Sequence, residues 1–471
     1  MTRASSKVFS RALQQLSAAG GISLDDQDIR FRAQTVSLDT PLRAAEAAGA
    51  ALTAGAAIAD QIARQRGHTA STVATASRHA EASLTSFLFL RFTGASSPAP
   101  RIAPEDRTAA AGFFPSADDR YVYLHPGFPH NTRGILNLLG TADDKDAVAA
   151  AVAELRGDEL EEALGSAGLC GAMVRTASEW DSSAAGAALN VRPVVEIIQM
   201  GDSEPEPFPD DLARPLTGIR VLDLTRILAG PTCARTLASY GASVLRVGAE
   251  HLPSIPLFVA DTGFGKRSCH LDLRQRADTE RLRELVTQTD VFSQGYRTGA
   301  MERLGFAVND LVAARPGIVY VSINCYGHEG NWRSRPGWEQ LAQTVTGMAD
   351  IQGRHLDAET PTLLPAAVND YTTGYLAAFG TLAALQRRAQ HGGSYWVRVS
   401  LARTAVWTRA LGLRRSVQAK RLGSSEIAGM TAEIDTAWGT SSYLKPAVSL
   451  SASPVEWRLP PAPLGTHKAR W

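Results

Sequence analysis

The apolar positions of this chain fall into two textures, and the boundary between them divides it. From Pro215 to about Arg414, short apolar runs alternate with stretches of helical period. Residues 219–224 form the first apolar run, which leads into Ala229-Gly230-Pro231 and a helix over about 232–240, stopped by Gly241. A strand at 243–247, a helix near 278–287, and strands at 290–293 and 318–323 follow. A long helix begins at Asp370, with Leu376, Phe379, Leu382 and Leu385 on one stripe. Gln386-Arg387-Arg388 reads as its polar end and His391-Gly392-Gly393 as its breaker, before a strand at 396–399. Strand–helix alternation predicts an α/β fold: a Rossmann-like parallel sheet with helices on both faces and a site at the strand C-terminal ends.

Residues 100–212 read differently. Arg120–Leu124 alternates as a strand and meets Pro126-Gly127, and three helices follow near 132–139, 147–155 and 159–167, the last ended by Gly168. A last strand is expected at 194–198. This pattern predicts a smaller α+β domain. The acidic, proline-rich run Gly201–Asp211 reads as a linker. The division expected is therefore 1–100, 101–200, a linker at 201–214, a catalytic domain at 215–425 and a tail at 426–471. The first segment carries a degenerate echo of the Asp370 region. Residues 43–49, a helix to Arg66-Gly67 and the run Ser71–Thr75 repeat the order of Asp370–Gly374, its helix and its strand, with Glu46 falling near Asp370.

A chain of 471 residues holds two or three cores of ordinary size. Its net charge of +1 gives no global field for nucleic acid or a membrane surface. No apolar run reaches membrane-spanning length and no signal-type core follows the N-terminus, so a cytoplasmic protein is expected. Cys170, Cys233, Cys269 and Cys325 are widely spaced, which predicts reduced, packed thiols. The histidines show no metal spacing, and no metal is expected. The absence of Gly-x-Gly-x-x-Gly after the first strand disfavours NAD despite the strand order.

Asp370 carries the chemistry, and its residue type leaves two roles open. An aspartate at a helix start caps a free backbone N–H. A carboxylate at the positive end of a helix can also act as a nucleophile and form an acyl anhydride.

The segment from Pro215 to Thr404 resembles the class III coenzyme A transferase family, which includes formyl-CoA and carnitine CoA-transferases and α-methylacyl-CoA racemase. The resemblance rests on Pro215–Leu224, Leu228-Ala-Gly-Pro231, Gly241–Leu245, Gly265-Lys-Arg-Ser268, Gly299–Phe306, Arg335-Pro-Gly-Trp-Glu339 and Asn369–Gly374, in order and spacing. Asp119–Leu124 and Leu164–Val174 resemble the family's small domain, which normally follows the catalytic half and here precedes it. The tail 446–467 resembles the closing segment that returns to the large domain. The resemblance implies a rearranged version of the fold and, since family members form interlocked dimers, a possible homodimer. It implies transfer of CoA from an acyl-CoA to a free carboxylic acid, with Asp370 as nucleophile through anhydride and aspartyl-CoA intermediates. CoA is then a substrate and no cofactor is implied.

The same resemblance assigns CoA contacts to Leu228, Ala229, Lys266, Arg267, Arg303, Trp338 and Glu339. Tyr296, Arg297 and Arg226 are added as neighbours that no family motif fixes. Val247-Gly-Ala249 stands where an adenine-side arginine is expected, and Gly337-Trp338 stands where racemases carry a histidine. The second difference disfavours two-base proton abstraction. An acyl-CoA racemase or epimerase and a non-catalytic acyl-CoA-binding protein remain the alternatives.

Overall fold

The computed structural model describes residues 2–94, 98–102, 108–208 and 214–471. Its centre is a seven-stranded sheet in the order Lys266–His270, Ser243–Gly248, Arg220–Asp223, Val291–Gln294, Val319–Asn324, Ser394–Ser400 and Glu196–Gly201. The first six strands are parallel and the last is antiparallel. Runs such as Val319-Tyr-Val-Ser-Ile are buried on both faces, as a sheet covered by helices on each side requires. The chain leaves Arg220–Asp223 for Ser243–Gly248 on one side and later adds Val291–Gln294 on the other. That reversal opens a crevice at the C-terminal ends of the two central strands.

The helix Val368–His391 lies across this sheet and is almost wholly buried. Two glycines set its depth. A Cβ at Gly374 would stand 2.5 Å from the Ala229 carbonyl oxygen and 2.7 Å from Thr232 Cβ; one at Gly380 would stand 2.6 Å from Val195 Cγ1. Only hydrogens fit there, so the helix sits directly on the helix Ala229–Ser239 and on the sheet. Its expected polar end is partly core. Arg388 is buried, its Nη1 donating to Asp290 Oδ1 at 2.8 Å, and the helix runs on to His391 before Gly392 turns at a φ of 72°.

The smaller segment has its own antiparallel sheet, Gly112–Pro115, Tyr121–Leu124 and Gly171–Met173, under the helices Pro129–Leu139, Lys145–Ala153 and Gly157–Ser166. Phe114, Val122, Ile135, Val148, Leu160 and Leu164 form its core. The strand expected at 194–198 runs from Glu196 to Gly201 and joins the large sheet, with Ile198 opposite Trp396. Of the linker expected at 201–214, residues 209–213 lie outside the described residues.

The N-terminal segment repeats one edge of the large sheet in miniature. Asp28–Arg32 pairs parallel with Thr72–Ala76, which pairs antiparallel with Val448–Leu450. Val319–Asn324, Ser394–Ser400 and Glu196–Gly201 are arranged in the same way. In each unit a long helix precedes the middle strand and a shorter one follows it, Ala44–Gln65 and Ser77–Ser83 here, Val368–His391 and Leu401–Ala410 there. The two long helices pack on each other, with Phe379 and Leu382 against Gly55. No helix among the described residues is long and apolar enough to cross a membrane.

Candidate functional site

Asp370 is the third residue of its helix, not the cap. Ala367 holds the N-cap position and no side chain caps it. The first turn is tied instead by Glu339, the first residue of the helix Glu339–Val345. Its Oε2 accepts the Asp370 N–H at 2.9 Å, and its Oε1 accepts the Asn369 N–H at 3.1 Å and a Gln343 amide N–H at 2.7 Å. Tyr371 locks the rotation of the helix from the other side, its hydroxyl donating at 2.8 Å to Asp261, which also pairs with Arg235 and accepts from Ser86. The Asp370 carboxylate itself makes no hydrogen bond among the described residues. It is 7% exposed, and that exposure is to a cleft of about 300 Å³.

Burial raises the pKa of both carboxyls, and the negative charge of Glu339 raises Asp370 further. Glu339 is pushed up to about 7 even though it accepts from several donors, and Asp370 stands well above the usual carboxylate range. Two carboxyls that close in a dry site share their titration.

The cleft opens at the predicted crevice. One wall is the turn from Leu224 to Gly230, the other is Gly295-Tyr296-Arg297 with Trp338 and Glu339, and Asp370 closes the floor. Ile227 in that turn has a φ of +69°, a strained conformation for a β-branched residue that costs roughly 1–3 kcal/mol. Leu228 provides no side-chain cap for the helix Ala229–Ser239, so its first N–H groups border the cleft uncapped. Of the residues expected to hold CoA, the cleft gathers Leu228, Ala229, Tyr296, Arg297, Trp338 and Glu339.

Three expected contacts lie elsewhere. Lys266 is 3% exposed, and its Nζ donates to Asp223 Oδ2 at 2.7 Å and to the Pro231 carbonyl at 2.8 Å. It is a core ion pair that holds the first strand to the following helix; burial lowers its pKa to about 8. Arg267 is half-buried, points the other way from the same strand and does not line the cleft; Arg303 is exposed on the short helix Ala300–Arg303. Alternation along the strand Lys266–His270 is the reason: successive side chains leave on opposite faces, and the lysine faces inward.

The sequence reading missed the wall supplied by the smaller segment. Phe128, His130, Asn131 and Cys170 of the same chain line the cleft. The Phe128 ring lies 5.3 Å from that of Trp338, and the His125 ring lies 4.7 Å from it. Burial, then Arg297, Arg226 and Arg133 around it, hold the His130 imidazole below its ordinary value. The available signal was Pro126-Gly127, a turn at a strand end, where loops carry function. Arg246 was missed too. In the strand Ser243–Gly248 it is 6% exposed, and its side chain makes no hydrogen bond or ion pair among the described residues, with Asp223, Tyr296 and Arg226 around it.

Comparison with known proteins gives this geometry a context. Residues 216–429 match the family described as CoA-transferase family III. An acyl-CoA transferase of Gibberella moniliformis is 35% identical over 290 residues, covering 57% of this chain and 51% of that protein. The acetyl-coenzyme A transferase nodX of Hypoxylon pulicicidum is 40% identical over 210 residues, covering 43% of this chain and 35% of that protein. The chain thus spans about half or less of the length of these relatives. Among solved structures, the hypothetical protein Rv3272 of Mycobacterium tuberculosis is 30% identical with a TM-score of 0.39, over 42% of this chain and 57% of that one.

Proposed function

We propose that this protein moves CoA from an acyl-CoA to a free carboxylic acid, with Asp370 as the nucleophile, a reading supported by the match of residues 216–429 to CoA-transferase family III. The observation that carries the reading is the Asp370 carboxylate, buried, without a hydrogen-bond donor and facing the cleft. A carboxylate held without donors or bulk water keeps its nucleophilicity.

In this reading an Asp370 oxygen attacks the thioester carbonyl, the C–S bond breaks, and CoA leaves as a thiolate. The thiolate attacks the aspartyl carbonyl of the mixed anhydride and releases the donor acid, leaving an aspartyl-CoA thioester. The acceptor carboxylate then attacks that thioester and expels the thiolate. The thiolate attacks the acceptor's carbonyl in the second anhydride, which yields the new acyl-CoA and frees Asp370. Glu339 holds the backbone of the nucleophile in place throughout. The uncapped N–H groups after Leu228 support the reading, since they suit an oxygen that gains charge. Arg226, Arg297 and Arg133 near the cleft suit the phosphates of CoA.

The test is mass spectrometry of the protein after incubation with mixed acyl-CoAs. A CoA adduct is expected on the peptide containing Asp370, and Asp370→Ala should abolish both adduct and exchange while the protein stays folded. Undiminished exchange by that variant would remove Asp370 from the chemistry. Solvent deuterium entering the acyl α-carbon without CoA exchange would favour an epimerase.

A further inference from the structure

Asn131 is the third residue of the helix Pro129–Leu139 in the smaller segment. It is 4% exposed and lines the cleft, and its side-chain amide makes no hydrogen bond among the described residues. Only its backbone is engaged, the N–H donating to the Phe128 carbonyl at 2.9 Å. What little of the residue is exposed opens onto the cleft, where no group among the described residues satisfies the amide. Asn324, which lines the same cleft, shows the ordinary outcome: its Oδ1 accepts from the Gly327 N–H at 2.8 Å and its Nδ2 donates to the Gly327 carbonyl at 2.9 Å. Asn131 has free hydrogen-bonding capacity in a place where a ligand would be its partner.

The chemistry of the side chain narrows that partner. An amide offers two N–H donors and a carbonyl acceptor, whereas a carboxylate, phosphate or thioester oxygen would satisfy the donors alone. A second amide satisfies both. Asn131 shares its wall with Phe128, which abuts Trp338, and Trp338 leads directly to Glu339 and so to Asp370. A chain carrying amides and ending in a thioester at Asp370 would pass this wall.

We propose that Asn131 binds the pantetheine arm of CoA, amide to amide. The smaller segment then supplies, within the same chain, the wall against which CoA is read. The assignment rests on the CoA-transfer reading of the cleft.

The test is calorimetric titration of CoA, and separately of pantetheine, into the full chain and into Asn131→Leu and Asn131→Asp variants. The leucine variant is expected to weaken both ligands by about tenfold or more, since it removes the partner and leaves the ligand's amide unpaired. Its thermal midpoint should not fall, because no protein hydrogen bond is lost; the aspartate variant keeps the shape and should weaken both ligands as well. Unchanged affinity in both variants would overturn the proposal. So would a loss confined to CoA with pantetheine unaffected, which would put Asn131 at the nucleotide. A wild-type protein that binds neither ligand would overturn the CoA reading itself, a result distinct from a wild type that binds and variants that bind equally well.

Discussion

Glu339 accepts the backbone N–H of Asp370 at 2.9 Å and leaves the Asp370 carboxylate without a donor. One acid holds its neighbour's backbone while its own charge discourages that neighbour from ionising. Both groups sit in the same dry pocket, 4% and 7% exposed.

This arrangement predicts a pH dependence. Burial, and for Asp370 the adjacent Glu339, raise both carboxyls above their unfolded values, with Glu339 at about 7. The folded protein therefore binds more protons than the unfolded chain between the ordinary carboxyl range and neutrality. The pair's contribution to stability is full below the unfolded values and is lost as pH rises through about 7. Activity should run the other way, because attack needs a carboxylate: kcat/KM is expected to climb with pH, with a midpoint well above the ordinary carboxylate range, since burial and then Glu339 raise Asp370. Glu339→Gln removes the neighbouring charge and should move that midpoint down, while the larger effect of burial remains. A rate profile that is flat from pH 5 to 8 would contradict this.

Lys266 is predicted to act on stability, not on CoA. Its ion pair with Asp223 is wholly buried, so Lys266→Met strands an uncompensated carboxylate and should cost about 3–5 kcal/mol in denaturant unfolding. Adding Asp223→Asn should recover part of that loss, since an amide oxygen still accepts from the Thr225 N–H. CoA affinity of the folded variants should stay within a few-fold of wild type.

Gly374 and Gly380 separate the position of the site from the packing of its helix. Gly374→Ala drives a methyl against the Ala229 carbonyl, a backbone atom in the cleft wall. It should cost about 1–3 kcal/mol and most of the activity. At Gly380→Ala the nearest atoms met are side-chain atoms of Val195 and Val397, not backbone. It should lose comparable stability in thermal unfolding and keep most of its turnover.

What could be read from the chain follows from how local each signal is. The strands at 219–224, 243–247 and 318–323 and the helix at Asp370 announce themselves by burial within their own few residues, and the parallel sheet follows from their alternation. The strand Lys266–His270, with the polar sequence KRSCH, has no such pattern. It is a strand because Ser243–Gly248 pairs with it on one side and the tail covers the other, His467 donating its N–H to the Ser268 carbonyl at 2.7 Å. Glu196–Gly201 joins the large sheet through a partner nearly two hundred residues away in sequence, Ser394–Ser400, which no local pattern encodes. The site divides in the same manner. Asp370, Trp338 and Glu339 belong to legible motifs, whereas Asn131 and Phe128 reach the cleft only because the smaller segment folds back over it.

The N-terminal unit provides the last prediction. Glu46 is the third residue of the helix Ala44–Gln65, as Asp370 is of its own. The two carboxylates differ in what surrounds them. Glu46 is fully buried, with Oε1 accepting from Arg43 at 3.1 Å and Oε2 from Arg414 at 2.7 Å, and it does not line the Asp370 cleft. A carboxylate held by two guanidinium groups is charge-balanced and shielded from an incoming electrophile, so its work is to tie Arg43 and Arg414 to the repeat. Glu46→Gln should therefore lower stability by about 3–5 kcal/mol, the usual consequence of leaving one side of a buried pair unmatched. Mass spectrometry should still find one CoA adduct per chain, on the Asp370 peptide and none on the Glu46 peptide. An adduct on Glu46, or exchange that falls in proportion to its replacement while the fold is intact, would make the second carboxylate a working site.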